Sequence, residues 1–134
     1  MAGPIFLSPP IHVETGGSGG FDRADIVFEG VDQSGGSFEA RVFVNNPAAG
    51  LDTAKSAANG YAGAFHVYGE GRPGGPPALT TRYVTATEAV RTSLRRGPDL
   101  TVTVVAVPYG RSSRRPVVDL RIARVSILID RPPG

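Results

Sequence analysis

Hydrophobic and polar residues alternate along much of this chain. In residues 37–45, "SFEARVFVN", Phe38, Ala40, Val42 and Val44 fall on one side and Glu39, Arg41, Phe43 and Asn45 on the other. A period of two is the mark of a strand with one buried face. "RADIVFEGV" before it puts Ile26 and Phe28 on one face, and the intervening "DQSGG" reads as a hairpin loop, which predicts antiparallel neighbours. "PIFLSPPIHVE" reads as one or two short extended segments, because its prolines forbid helix and suit an edge. "YAGAFHVYGE" and "ALTTRYV" extend again, with "GRPGGPP" as the loop between them. "DLTVTVVAV" is rich in β-branched residues, Thr101 and Thr103 alternating with Val102 and Val104. "PYGRSSRRP" then reads as a turn. In the last run, "VVDLRIARVSILI", Val118, Leu120 and Ile122 share one phase and Val125, Ile127 and Ile129 the other. A bulge near Ala123 and Arg124 would return both sets to the core.

One helix interrupts the strands, near residues 86–96. Thr85 and Glu88 have capping-box spacing, and Val90 and Leu94 form a buried stripe at i and i+4. Arg95 and Arg96 suit the negative end of the helix dipole, while Gly97 and Pro98 stop it. The polar excursion Asn46 to Gly60 tolerates some helix around Asp52 to Ala58. The expected fold is all-β: an antiparallel β-sandwich of Greek-key or jelly-roll type with about seven to eight strands and this short α-helix. Residues 1–20 are expected to form an extended N-terminal arm ending in the glycine-rich linker "TGGSGG", Thr15 to Gly20, and residues 21–134 the sandwich.

Composition sharpens this picture. A chain of 134 residues suits one domain with a real core. Its 18 glycines and 12 prolines lie between apolar runs, as turns between short strands would require. Lys55 is the only lysine among 14 basic residues, a bias typical of GC-rich, bacterial genomes. Arginines cluster at Arg91, Arg95 and Arg96 and at Arg111, Arg114 and Arg115. A net charge of +2 without interleaved aromatics does not make a nucleic-acid surface. No apolar run is long enough to span a membrane as a helix, and the N-terminus lacks the basic region of a signal peptide. The expected location is cytoplasmic.

Candidate chemistry is sparse. With 0 Cys, disulfides, iron–sulfur clusters, zinc knuckles and thiol nucleophiles are excluded. The two histidines, His12 and His66, are the only imidazoles a metal could use, and they are not spaced as a ligand pair. No serine sits in a nucleophile elbow, and no glycine-rich run carries the lysine of a phosphate loop. No cofactor is expected. Attention therefore falls on "GYAGAFHVYGEG", where Tyr61, Phe65, His66 and Tyr68 crowd between glycines. These four and Phe43 are the docking candidates for a protein partner.

Three blocks, in order and spacing, form a pattern: "SFEARVFVNNP", "YAGAFHVYGEG" and "VTATEAVRTSLRRGPDLTVTVVAV", followed by "LRIARVSI". Together they resemble the C-terminal domain that follows the catalytic domain in plant polyphenol oxidases and in bacterial tyrosinase-like proteins. The plant run Lys-Phe-Asp-Val-Tyr-Val-Asn has its counterpart in Glu39, Ala40, Arg41, Val42, Phe43, Val44 and Asn45. The plant "AGSF" is here Ala62, Gly63, Ala64 and Phe65. The similarity extends from about Ala24 to Ile129. It implies a β-sandwich that packs over a type 3 dicopper site, shields it, keeps the oxidase latent and assists maturation, with a loop residue blocking substrate entry. Glu39 and Arg41 depart from the plant Lys and Asp, so the polar contacts of those side chains are not expected to carry over. A type 3 site takes three imidazoles on each of two coppers, and this chain has 2 histidines.

The leading expectation is thus a non-catalytic accessory module acting by protein–protein contact, its partner a type 3 copper oxidase catalytic domain. A second is a structural sandwich that self-assembles into a homo-oligomer through exposed edges and the proline-rich arm. A third is a small enzyme using His66 with a carboxylate such as Glu70 or Asp119.

Overall fold

The structure, a computed structural model, describes residues 3–13, 21–69, 76–109 and 120–130. Nine strands are found there: β1 (Ile5–Leu7), β2 (Ile11–His12), β3 (Arg23–Asp32), β4 (Phe38–Val44), β5 (Tyr61–Val67), β6 (Leu79–Thr85), β7 (Asp99–Leu100), β8 (Val102–Pro108) and β9 (Arg124–Asp130). A 3-10 turn covers Ala57–Asn59, and one helix, α1, covers Thr87–Leu94. The strands exceed the expected number because the N-terminal segment and the threonine-rich run each contribute a two-residue piece, β2 and β7, which pair with each other. Among the described residues no helix is long and apolar enough to cross a membrane.

A four-stranded sheet runs in the order β1-β8-β4-β5 and a three-stranded sheet in the order β6-β3-β9, every pairing antiparallel. The alternation read from the sequence sets their inner faces. Ala24, Ile26 and Phe28 from β3 meet Ala40, Val42 and Val44 from β4 and Val102, Val104 and Ala106 from β8 in one buried cluster. At its centre the Phe28 and Phe65 rings lie 4.9 Å apart, tilted by 42°. The first residues are woven into this body rather than lying apart from it: Pro4 O accepts from Ala106 N at 2.7 Å and Gly3 O from Leu120 N at 2.9 Å.

Two local expectations are corrected. First, β3 and β4 are not hairpin partners. Each is central, β3 between β6 and β9 and β4 between β8 and β5, so neither has a free edge for the other. Residues 33–37 instead carry the chain from one sheet to the other, and Asp32 organises the crossing by accepting from Ser34 N at 2.9 Å and Ala78 N at 3.3 Å.

Second, Thr85 does not cap the helix. It ends β6, where its hydroxyl donates to Asp25 Oδ1 at 2.8 Å, and the N-cap residue is Ala86, which makes no side-chain cap bond. The helix start is held by β3 instead: Ala86 N donates to Ala24 O at 2.8 Å, and Ala24 N donates to Thr87 Oγ1 at 3.2 Å. Glu88 pairs with Arg91 one turn on. Val90 is buried as expected and Leu94 packs against the same core.

The phase change expected in the last run is present. Leu120 and Ile122 are buried and Val125, Ile127 and Ile129 pack on the same core, and from Arg124 onward β9 pairs with β3 without a break. Beside the phase change, β3 shifts register against its other neighbour, β6, between Phe28 and Val31. Gly30 sits there at φ 68°, and a Cβ on it would fall 2.6 Å from the Ala123 Cβ. Only glycine meets both demands. The turn expected over "PYGRSSRRP" and most of the "GRPGGPP" loop lie outside the described residues.

Candidate interaction site

Register assembles the candidate site on the outer face of the four-stranded sheet. On β4, Glu39 stands opposite His66 of β5 and Val107 of β8, and Arg41 stands opposite Ala64 and Val105. Directly opposed residues share a face. Glu39 Oε1 accepts from Arg41 Nε at 2.6 Å and faces Lys55 Nζ at 3.3 Å. The Arg41 hydrogen bond, partly offset by desolvation and reinforced by Lys55, holds the Glu39 carboxyl below its ordinary value. Glu39 and Arg41 thus pair with each other on this face.

Near the strand ends, the His66 Nδ1 and the Tyr109 hydroxyl are hydrogen-bonded, and their rings stack with centroids 6.0 Å apart. Desolvation, with the Glu39 carboxylate and Tyr68 beside it, pushes the Tyr109 phenol up. Ser37 ties the two strand ends together: its carbonyl accepts from Tyr109 N at 3.1 Å and its hydroxyl from Gly69 N at 2.9 Å. The chain passes so closely here that a Cβ on Gly69 would lie 2.0 Å from Gly35 O. Tyr68 projects beyond this knot, 75% exposed. The result is a solvent-facing patch of two tyrosines, an imidazole and a compact charge cluster.

The other end of the same face is closed. Phe43, Ala49 and Val105 form a second buried cluster with Tyr61 and Val107 against it, and the Phe43 and Tyr61 rings meet edge-on at 5.5 Å. Residues 45–59 fold back as the cover. Asn45 takes the left-handed conformation, φ 54°, with its Oδ1 accepting from Thr101 N at 2.9 Å. Asn46 Nδ2 donates to Asn59 O at 2.9 Å. Beside this cover a cleft of about 500 Å³ opens toward α1, lined by Asn46, Asn59, Tyr61, Glu88, Thr92 and Arg96 among others.

The docking candidates are therefore split. His66 and Tyr68 lie on the open patch and Tyr61 is half-buried at the closed end. Phe43 and Phe65 are corrected from docking residues to core: Phe43 fills the covered cluster, and Phe65 points inward against Phe28. The alternation already forbade Phe65 and His66 from sharing a face. Tyr109, Glu39, Arg41 and Lys55 belong to the patch and were not singled out as site residues. The pairing of β4 with β8 that brings Tyr109 in is non-local, and no sequence signal marks it.

His12 lies elsewhere, on the β2–β7 pair, with Nδ1 2.8 Å from Asp99 Oδ1. Among the described residues no group of three or more His, Asp or Glu is placed to hold a metal ion. Glu70 and Asp119, the carboxylates considered for His66, lie outside the described residues.

No family model matches the chain, and no curated protein matches it in sequence. Solved structures do match its fold. A recombinantly expressed latent aurone synthase, a polyphenol oxidase, superposes with TM-score 0.60 over 98% of this chain at 20% identity. The chain has the fold of part of a polyphenol oxidase. The latent aurone synthase from its natural source gives TM-score 0.57 over 97% at 18% identity. The form co-crystallised with hexatungstotellurate(VI) gives 0.58 over the same 97%. In each case this chain spans about a quarter of the other, 24–25% of its length. At such identity the likeness is one of fold, and it agrees with the C-terminal domain suggested by the three sequence blocks.

Proposed function

We propose that the chain is a non-catalytic accessory module that packs against the catalytic domain of a type 3 copper oxidase and restrains it by protein–protein contact. One observation carries this reading: 98% of the chain matches the fold of about a quarter of a latent polyphenol oxidase. The histidine count supports it, because 2 imidazoles cannot complete a dicopper site. The contact surface is the open patch of His66, Tyr68 and Tyr109 with the Glu39–Arg41 pair. Tyrosine and arginine are the residue types that anchor protein interfaces, and rings held by hydrogen bonds lose little entropy on docking.

The test mixes the chain with a type 3 copper oxidase catalytic domain encoded in the same genome, following o-diphenol oxidation and complex mass together. The reading expects a complex and slower oxidation. It further expects Tyr68→Ala to weaken the complex by about tenfold or more, the loss of one interface anchor, without lowering the melting temperature. Absence of any complex at about 100 µM, well above a useful affinity, would overturn it.

A further inference from the structure

Four strands form the lateral edges of the two sheets, and three of them are guarded. β1 is only three residues long. β5 is kinked by a register shift opposite Val42 and Phe43. β6 is broken against β3 between Phe28 and Val31, and it also turns Arg82 toward the inner face, opposite Phe28. Arg82 Nε is buried without a hydrogen-bond partner. Short length, bulges and inward charges are the devices by which sheet edges avoid pairing with other chains.

β9 carries none of them. It runs seven residues, "RVSILID", without Pro, Gly or Lys, in unbroken register with β3. Among the described residues no strand pairs with its far side. Its inward residues Val125, Ile127 and Ile129 are only partly covered, and Leu128 on the outer face is 55% exposed.

From this edge we infer that the chain forms a two-fold symmetric dimer, β9 pairing antiparallel with β9 of a second copy and Ile127 opposite itself. The inference stands apart from the oxidase reading and survives its failure. Charge chooses the occupant and the register. Centred on Ile127, each Arg124 faces Asp130 of the other copy, Val125 faces Ile129, and Ser126 faces Leu128. Within one copy Asp130 already stands opposite Arg23, and Arg124 opposite Glu29. The dimer therefore extends each pair into a row of alternating sign across four strands: Arg23, Asp130, then Arg124 and Glu29 of the second copy. A slip by one residue would set apolar positions against the solvent face, and a slip by two would set Arg124 against Leu128. The two three-stranded sheets become one six-stranded sheet, an isologous contact of the β-augmentation type.

The test is sedimentation of the full chain across concentration, with two charge-reversed variants. The natural sequence is expected to dimerise with a dissociation constant on the order of 10 µM, as suits a small interface. Arg124→Glu and Asp130→Lys should each weaken the dimer about tenfold or more, because each sets like charges opposite one another at both ends. Mixed in equal amounts, the two variants should pair again. At one end of the mixed dimer the introduced carboxylate meets the introduced ammonium, and at the other the native Arg124 meets the native Asp130. A simple folding defect would not be rescued by mixing. A natural chain that stays monomeric to about 500 µM overturns the inference. So does a dimer that ignores both reversals, or variants that stay apart when mixed.

Discussion

The two sheets share one core but treat their outer faces differently. The four-stranded sheet is used on both sides: Phe43 and Val105, on its outer face, are as fully buried as Phe28 between the sheets. A fold-back segment covers one end of that face, and a ring-and-charge knot occupies the other. On the outer face of the three-stranded sheet Val27 is buried, but Tyr83 opposite it is 62% exposed and Leu128 55%, and among the described residues no second buried cluster forms there. Full burial fixes side chains in one arrangement, while exposed rings such as Tyr83 are left to solvent. A sheet supported from both sides can hold a patch rigid enough for recognition. A sheet supported from one side offers its edge instead.

The largest effect should come from the shared core. Phe28→Ala is expected to cost about 3–5 kcal/mol, measured by urea unfolding. Phe43→Ala should cost about 3 kcal/mol, the low end of that range, because its cluster is small and the 45–59 cover can settle into the gap. A loss under about 1 kcal/mol at Phe43 would mean the cover is loose, and the contrast between the two faces would collapse.

Acid should give the next effect, through Glu39. The folded Glu39 carboxyl lies below its ordinary value of 4.5, so its contribution is complete above that pH and is lost as pH falls through the lower folded value. Glu39→Gln should remove that part of the acid sensitivity, shown by a flatter loss of stability between neutral and acid pH. The size is at most about 1 kcal/mol, as expected for a pair near the surface. Unchanged acid sensitivity would show that Glu39 is not held by Arg41 and Lys55. The smallest effect belongs to the exposed ring on the other sheet: Tyr83→Ala should shift unfolding by less than about 0.5 kcal/mol.

Much of this architecture was legible because strand alternation is local. Phe38, Ala40 and Val42, or Ile26 and Phe28, announce their inner face wherever their strands pair. Topology is not local. "DQSGG" has the composition of a hairpin loop, but the central places of β3 and β4 turn it into a crossing between sheets. Thr85 and Glu88 have the spacing of a cap, but Thr85 is drawn into β6 by Asp25, a residue sixty positions away. The site divides in the same way. The stretch holding His66 and Tyr68 stood out by its composition, whereas Tyr109 joins them only through the β4–β8 register.

The central claim is that the chain acts through the outer face of its four-stranded sheet. Amide hydrogen exchange of the chain, alone and with a type 3 copper oxidase catalytic domain, tests it most directly. The account predicts added protection over residues 39–41, 66–69 and 107–109, with β3 and β6 unchanged. Protection confined to the three-stranded sheet, or none anywhere at saturating partner, would contradict it.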